Sequence, residues 1–253
     1  MKEKLYTIPL NDAMMAADEC PFCFIERQVE QDLLDFVLGS GSSYMESDIR
    51  DLTDQAGFCR THFKKMFDYG NTLGNAWILK THYKKTIEEM EKEFGAHKPV
   101  KITLKDRFGK NHEKKDSVAL WAAKRDQSCY ICDQFAQTYE RYLDTFFVMY
   151  KKDPEFVQKV RSSKGFCVHH FGDLCDAAQL RLGDKEKDAF YSEMFALMKE
   201  NMERLFEDVS WMIEKYDYKN KDADWKNSKD AIQRGMQKLK GGYPADPVYK
   251  QAK

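Results

Sequence analysis

Apolar residues recur along this chain at steps of three and four, the spacing that lines one face of a helix. Phe24, Ile25, Val29, Leu33, Leu34, Val37 and Leu38 form the clearest stripe, and Gly39-Ser-Gly-Ser-Ser43 predicts its end. Before it, Asn11 or Asp12 can cap a short helix reaching about Asp18. After it, an amphipathic segment from about Tyr44 to Ala56 stops at Gly57, a natural left-handed cap. A further helix begins near Cys59, and beyond Gly70-Asn71 a long one runs to about Phe94.

The second half replays that order. A helix carrying Val118, Leu120 and Trp121 leads into Cys129, and a strong helix spans about Gln134 to Tyr150. Asp153-Pro154 starts a short helix, with proline suited to the first helical position. It ends at Gly165, the Cys167 helix continues to about Leu182, and a long helix from about Lys185 to Lys215 closes the copy. The pattern predicts an all-α fold of two duplicated helical repeats, residues 1–94 and 117–218. Between them, residues 95–116 read as a linker: Pro99, Gly109 and seven Lys/Arg against three Asp/Glu, with a Val100–Leu104 alternation that suits a small hairpin. Residues 219–253, with Trp225, Ser228, a helix to about Lys240 and a loose tail, have no counterpart in the first half.

The duplication carries chemistry. Cys20-Pro-Phe-Cys23 precedes Gly57-Phe-Cys59-Arg-Thr-His62-Phe63, and Cys129-Tyr-Ile-Cys132 precedes Gly165-Phe-Cys167-Val-His-His170-Phe171. Each Cys-x-x-Cys is followed 36 or 35 residues later by a Cys-x-x-His, and the copies lie 108 to 109 positions apart. Three cysteines and one histidine make the ligand set of one tetrahedral ion, delivered twice. The spacing predicts one site per repeat, Cys20, Cys23, Cys59 and His62 in the first and Cys129, Cys132, Cys167 and His170 in the second. An i, i+3 spacing at a helix start places both side chains of a motif on one face, so two positive helix ends converge on each site and favour thiolates. His170 rather than His169 aligns with His62 and has the helical spacing from Cys167. Zinc, two ions per chain, is the expected cofactor, with an iron–sulfur cluster as the alternative. Cys175 reads as a core thiol, His82 as a packed or surface histidine, and His97 and His112 as solvated linker residues. Trp121, Tyr139, Tyr142, Phe146 and Phe147 read as core, while Phe58 and Phe166 are expected to cover the metal sites.

Composition narrows the function. At 253 residues and 42% hydrophobic content the chain can bury a substantial core. Its 33% charged residues nearly balance at net −1, which argues against nucleic acid or an anionic membrane surface as partner. No apolar run reaches membrane-span length, and the first ten residues lack a secretory signal pattern, so the expected home is the cytoplasm, where patterned cysteines bind metal rather than pair. No phosphate loop, nucleophile elbow or His-Glu-x-x-His pair is present, which removes every specific reason to name a reaction. The sequence points to a metal-stabilised structural or adaptor protein, with a protein partner. A thiol-based redox enzyme or sensor using the same cysteines is the rival reading.

Ile8-Pro9 leading to Glu19-Cys20-Pro-Phe-Cys23, both Gly-Phe-Cys segments, Cys129-Tyr-Ile-Cys132, Lys151-Lys-Asp153, Lys219-Asn-Lys-Asp222, Trp225 and Asn227-Ser-Lys-Asp230 together resemble a bacterial domain-of-unknown-function family. The likeness covers nearly the whole chain. It implies a bacterial two-repeat protein and no activity.

Overall fold

The computed structural model describes residues 4–41, 43–99 and 116–242. Among them the fold is all-α, with no strand. The helices are α1 (Lys4–Met15), α2 (Pro21–Leu38), α3 (Ser47–Ala56), α4 (Arg60–Tyr69), α5 (Thr72–Ala96), α6 (Ser117–Gln127), α7 (Tyr130–Lys152), α8 (Pro154–Ser162), α9 (Val168–Arg181), α10 (Asp184–Lys215) and α11 (Ala231–Lys240). Two single 3-10 turns, Ser43–Met45 and Tyr218–Asn220, join them. The Val100–Leu104 alternation, His112 and the tail beyond Gly242 lie outside the described residues.

Helix ends follow the expected punctuation, apart from α8, which stops at Ser162 rather than at Gly165, and with one larger exception at the N-terminus. Asp153 caps α8 by accepting from the Glu155 and Phe156 N–H groups, with Pro154 in the first turn. Gly70 closes α4 in the left-handed region at φ +90°. The exception is α1, which begins at Lys4 and runs through Pro9 instead of starting at Asn11. Asn11 is an interior residue there, and its amide donates to Thr7 O at 2.8 Å rather than capping.

The chain divides into two compact units that do not coincide with the sequence repeats. Of the described residues, 4–29 and 137–242 form a terminal unit, and those between Glu30 and Ala136 form a central unit. Helices α2 and α7 each start in one unit and end in the other. The terminal unit buries a lattice of aromatic rings: Phe22, Phe146, Phe147, Phe156, Phe166 and Phe190 are all essentially inaccessible to solvent. Neighbouring rings there meet at centroid distances such as 5.2 Å for Phe146–Phe147 and 5.5 Å for Phe146–Phe156, the range in which edge-to-face contacts add to burial. The central unit instead packs aliphatic and mixed residues, Leu34, Val37, Leu38, Met66, Tyr69, Ile78 and Ile131, around Phe58. Tyr142, Phe146 and Phe147 are buried as expected, whereas Trp121 and Tyr139 are only half-buried.

Candidate metal centres

Four helix starts carry the eight donors, and each does so in the same way. Cys59 and Cys167 are the N-cap residues of α4 and α9, and Cys20 and Cys129 stand immediately before α2 and α7. In every motif the second donor lies three residues on, in the first helical turn. Cys-x-x-Cys and Cys-x-x-His are thus one device, an N-cap sulfur with a side chain beside it. The sulfurs also take up orphan amides: His170 N–H donates to Cys167 Sγ at 3.4 Å and Cys132 N–H to Cys129 Sγ at 3.5 Å. Gly57 and Gly165, each two residues before the cysteine, sit at φ +63° and +72°, a turn that side-chain-bearing residues resist. A Cβ on Gly57 would also lie 2.7 Å from the His82 ring, which packs there with Nδ1 3.1 Å from Asp54 O. His82 is therefore a packing residue.

The structure brings all eight donors together, but it exchanges partners between the repeats. Cys20 and Cys23 meet Cys167 and His170 in the terminal unit, while Cys129 and Cys132 meet Cys59 and His62 in the central unit. The expected sets, Cys20/Cys23 with Cys59/His62 and Cys129/Cys132 with Cys167/His170, do not form. The reason lies in α2 and α7, which carry the chain out of the unit where each Cys-x-x-Cys begins.

Within each cluster the four donor atoms all lie within 4.8 Å of one another. In the first, His170 Nδ1 is 3.3, 3.5 and 3.2 Å from the sulfurs of Cys20, Cys23 and Cys167, and Cys23 Sγ is 3.8 Å from Cys167 Sγ. In the second, His62 Nδ1 is 3.2, 3.2 and 3.4 Å from Cys59, Cys129 and Cys132, and Cys59 Sγ is 3.9 Å from Cys132 Sγ. A tetrahedron with sulfur at about 2.3 Å and nitrogen at about 2.0–2.1 Å has edges of about 3.8 Å (S–S) and about 3.5 Å (S–N). The donors therefore fit a single tetrahedral ion. All the cysteines are free thiols.

Charge within the clusters suits a cation. Burial disfavours a charged imidazole at His62, but Cys129 and Glu30 hold it up to about 10. Burial would raise Cys129 as well, yet His62 and the N–H groups of Cys59 and Cys132 bring it down to about 6. His170 rises to about 12 against its burial, through Cys167, Cys20 and Glu26. Cys167 is driven far below the usual thiol range, chiefly by hydrogen bonds from Cys20 and Cys23. A proton on Nδ1 occupies the place a metal ion takes, so metal uptake releases protons and tightens as pH rises.

Two glutamates complete the clusters, and no motif in the sequence marks them. Glu30 Oε1 accepts from His62 Nε2 at 3.0 Å and is itself paired with Lys65. Glu26 Oε1 lies 3.2 Å from His170 Nε2, off the N–H axis. Both stand on α2, four residues apart. At His62 the hydrogen-bonded carboxylate on Nε2 fixes the tautomer that leaves Nδ1 free for a metal and raises its basicity, while Glu26 acts on His170 through its charge. The signal was present in the sequence as two acids one helical turn apart after Cys23, but it is indistinguishable from a solvated helix face. Glu30→Gln is expected to weaken the metal affinity of the second cluster by roughly 10–100-fold and leave the first unchanged. Competition with a chromogenic chelator measures this, and equal weakening of both clusters would contradict it.

The remaining cysteine and histidines behave differently. Cys175 is half-buried on α9, outside both clusters, with burial raising its thiol. His169 is exposed, 3.7 Å from Asp173, while His170 is buried in the first cluster. His97 Nδ1 is 3.3 Å from Ser117 Oγ at the start of α6. Phe166 packs on Phe22, which in turn faces the His170 ring at 5.8 Å, whereas Phe58 packs between Phe63 and Tyr130.

Among the described residues no helix is long and apolar enough to cross a membrane. Over residues 1–246 the sequence matches a family described as "Family of unknown function (DUF6062)". No curated protein and no solved structure matches it significantly.

Proposed function

The chain belongs to that family of unknown function, and we propose that it is a cytoplasmic bacterial zinc protein whose two ions serve structure, in a scaffold or adaptor that binds other proteins. The observation that carries this reading is closure: each cluster supplies four protein donors at tetrahedral spacing, which leaves no coordination position for a substrate. Three thiolates and an imidazole suit zinc. An iron–sulfur cluster distributes its protein ligands over several irons and needs them more widely spread than donors all within 4.8 Å. In the rival reading, thiol–disulfide chemistry, the histidines would tune the thiolates, but a dithiol couple needs only a Cys-x-x-Cys pair and not a third cysteine and a histidine at tetrahedral spacing.

Elemental analysis of protein purified anaerobically is expected to give two zinc ions per chain, with X-ray absorption showing sulfur near 2.3 Å and nitrogen near 2.0–2.1 Å. Iron with acid-labile sulfide would sink the zinc assignment. A metal-free protein that keeps its fold and shows a reversible dithiol potential would sink the structural role.

A further inference from the structure

Residues 219–240, which no part of the first repeat matches, build the wall of a cavity of about 550 Å³ in the terminal unit. Its cations are Lys164, Arg204, Lys226, Lys229 and Arg234. Facing them are three carboxylates, Asp208 and Asp230 in the lining and the buried Glu19 behind it. Glu19 is itself offset by the buried Lys238, 3.4 Å away, so the five cations of the lining outnumber its two carboxylates by three, in one concavity of a chain whose net charge is −1.

The charges divide into a fixed floor and an open rim. Arg234 is almost wholly buried and held on several sides: Nη1 lies 2.9 Å from Asp208 and 3.3 Å from Glu19, and Nε 2.8 Å from Asp230. Arg204 is paired with Glu19 as well, and its Nε donates to Asn201 Oδ1 at 3.1 Å. These guanidinium groups are positioned before any ligand arrives, which lowers the entropy cost of binding one. At the rim, Lys229 is exposed with no carboxylate paired to it among the described residues, and Lys226 lies over the Trp211 ring at 3.9 Å. Lys226 also holds a left-handed backbone, φ +50°, that lysine adopts at a cost. The rim lysines carry the surplus charge.

We propose that this cavity is a binding site for a small phosphorylated molecule, whose phosphoryl group is held by the rim lysines above the paired arginine floor. The volume falls in the range of small-ligand sites. A phosphomonoester carries about −1.5 to −2 at neutral pH, which suits this surplus better than a single carboxylate does.

Titration calorimetry of the full-length, metal-loaded protein with inorganic pyrophosphate is expected to show a single site that weakens as salt is added. Lys229→Glu and Lys226→Glu, both at exposed positions, are expected to weaken it roughly tenfold or more, with helicity and metal content unchanged. Lys85→Glu, in a separate cavity of the central unit lined by Trp121 and Arg125, is the control and should leave binding intact. No binding at millimolar pyrophosphate would overturn the proposal, as would binding that survives both rim reversals. Equal affinity for malonate would also overturn it, by showing an unselective anion patch. None of these outcomes bears on the zinc sites, whose content is read separately.

Discussion

Paired substitutions are expected to remove metal in a pattern that only exchanged clusters produce. Cys20→Ser combined with Cys167→Ser strikes one cluster twice and should leave one ion per chain. Cys20→Ser combined with Cys59→Ser strikes both and should leave none. Sites closed within each repeat would give the reverse, no ion for the first pair and one for the second. The energetic consequence should be large, because metal binding by such sites is folding free energy, with apparent values of about 10–16 kcal/mol in small zinc domains. Here each unit also has a core of its own, so the loss should appear as partial unfolding of one unit rather than collapse of the chain. In the Cys20/Cys167 variant, hydrogen exchange should lose protection in α9 and α11 and keep it in α4 and α5. Metal counts with the opposite assignment would refute the exchange.

The donors and their helical context were legible from the sequence because both depend on local rules. An N-cap sulfur, a second donor three residues later and a left-handed glycine upstream are short-range features, and the duplicated spacing repeats them. Partner choice was less visible because it depends on how far helices carry the chain. At about 1.5 Å per residue, the 23 residues of α7 span about 35 Å away from Cys129. The return leg offers α8, nine residues and about 14 Å, plus a few non-helical residues. It could close on Cys129 only if those residues ran fully extended back along α7, and Gly165 at φ +72° turns there instead. The expected lengths, Gln134 to Tyr150 out and Pro154 to Gly165 back, left closure open; the constraint appears only with the true extents, Tyr130–Lys152 and Pro154–Ser162. The glutamates were hidden for a different reason, since nothing local separates an acid that orients a histidine from one that faces water. The start of α1 was missed because Pro9 and Asn11 both favour helix beginnings, and tertiary packing of α1 on α8 overrode them.

Metal release from the intact protein is expected to be biphasic, with the second cluster giving up its ion first. The two ligand sets are alike, but their surroundings are not. Cys20, Cys23, Cys167 and His170 are all buried, while Cys59 is half-exposed and Cys132 is exposed. The difference traces to the segment that the first repeat lacks. Helix α11 ends at Gly241, φ +77°, where a Cβ would sit 3.4 Å from Cys167 Sγ and 3.7 Å from Cys23 Sγ. The backbone at Gly241 therefore lies directly on the first cluster. One turn earlier, the buried Lys238 ammonium donates to Glu19 O, just before Cys20, and to Lys164 O at 2.6 Å, just before Gly165. One cation thus ties together the two loops that bring the ligands, and its charge offsets that of the thiolates. A chelator must open this cover to reach the first ion, whereas Cys132 already meets solvent. The slow phase should therefore lag the fast one by roughly an order of magnitude or more, each tenfold corresponding to about 1.4 kcal/mol of local opening. Lys238→Ala and Gly241→Val should accelerate the slow phase alone, the first by unclamping the loops and the second by forcing a branched side chain into a glycine conformation. The Cys20→Ser, Cys167→Ser protein should show only the fast phase. A single phase in the unaltered protein, or a slow phase that survives in that double variant, would show that the cover on the first cluster does not control access to its ion.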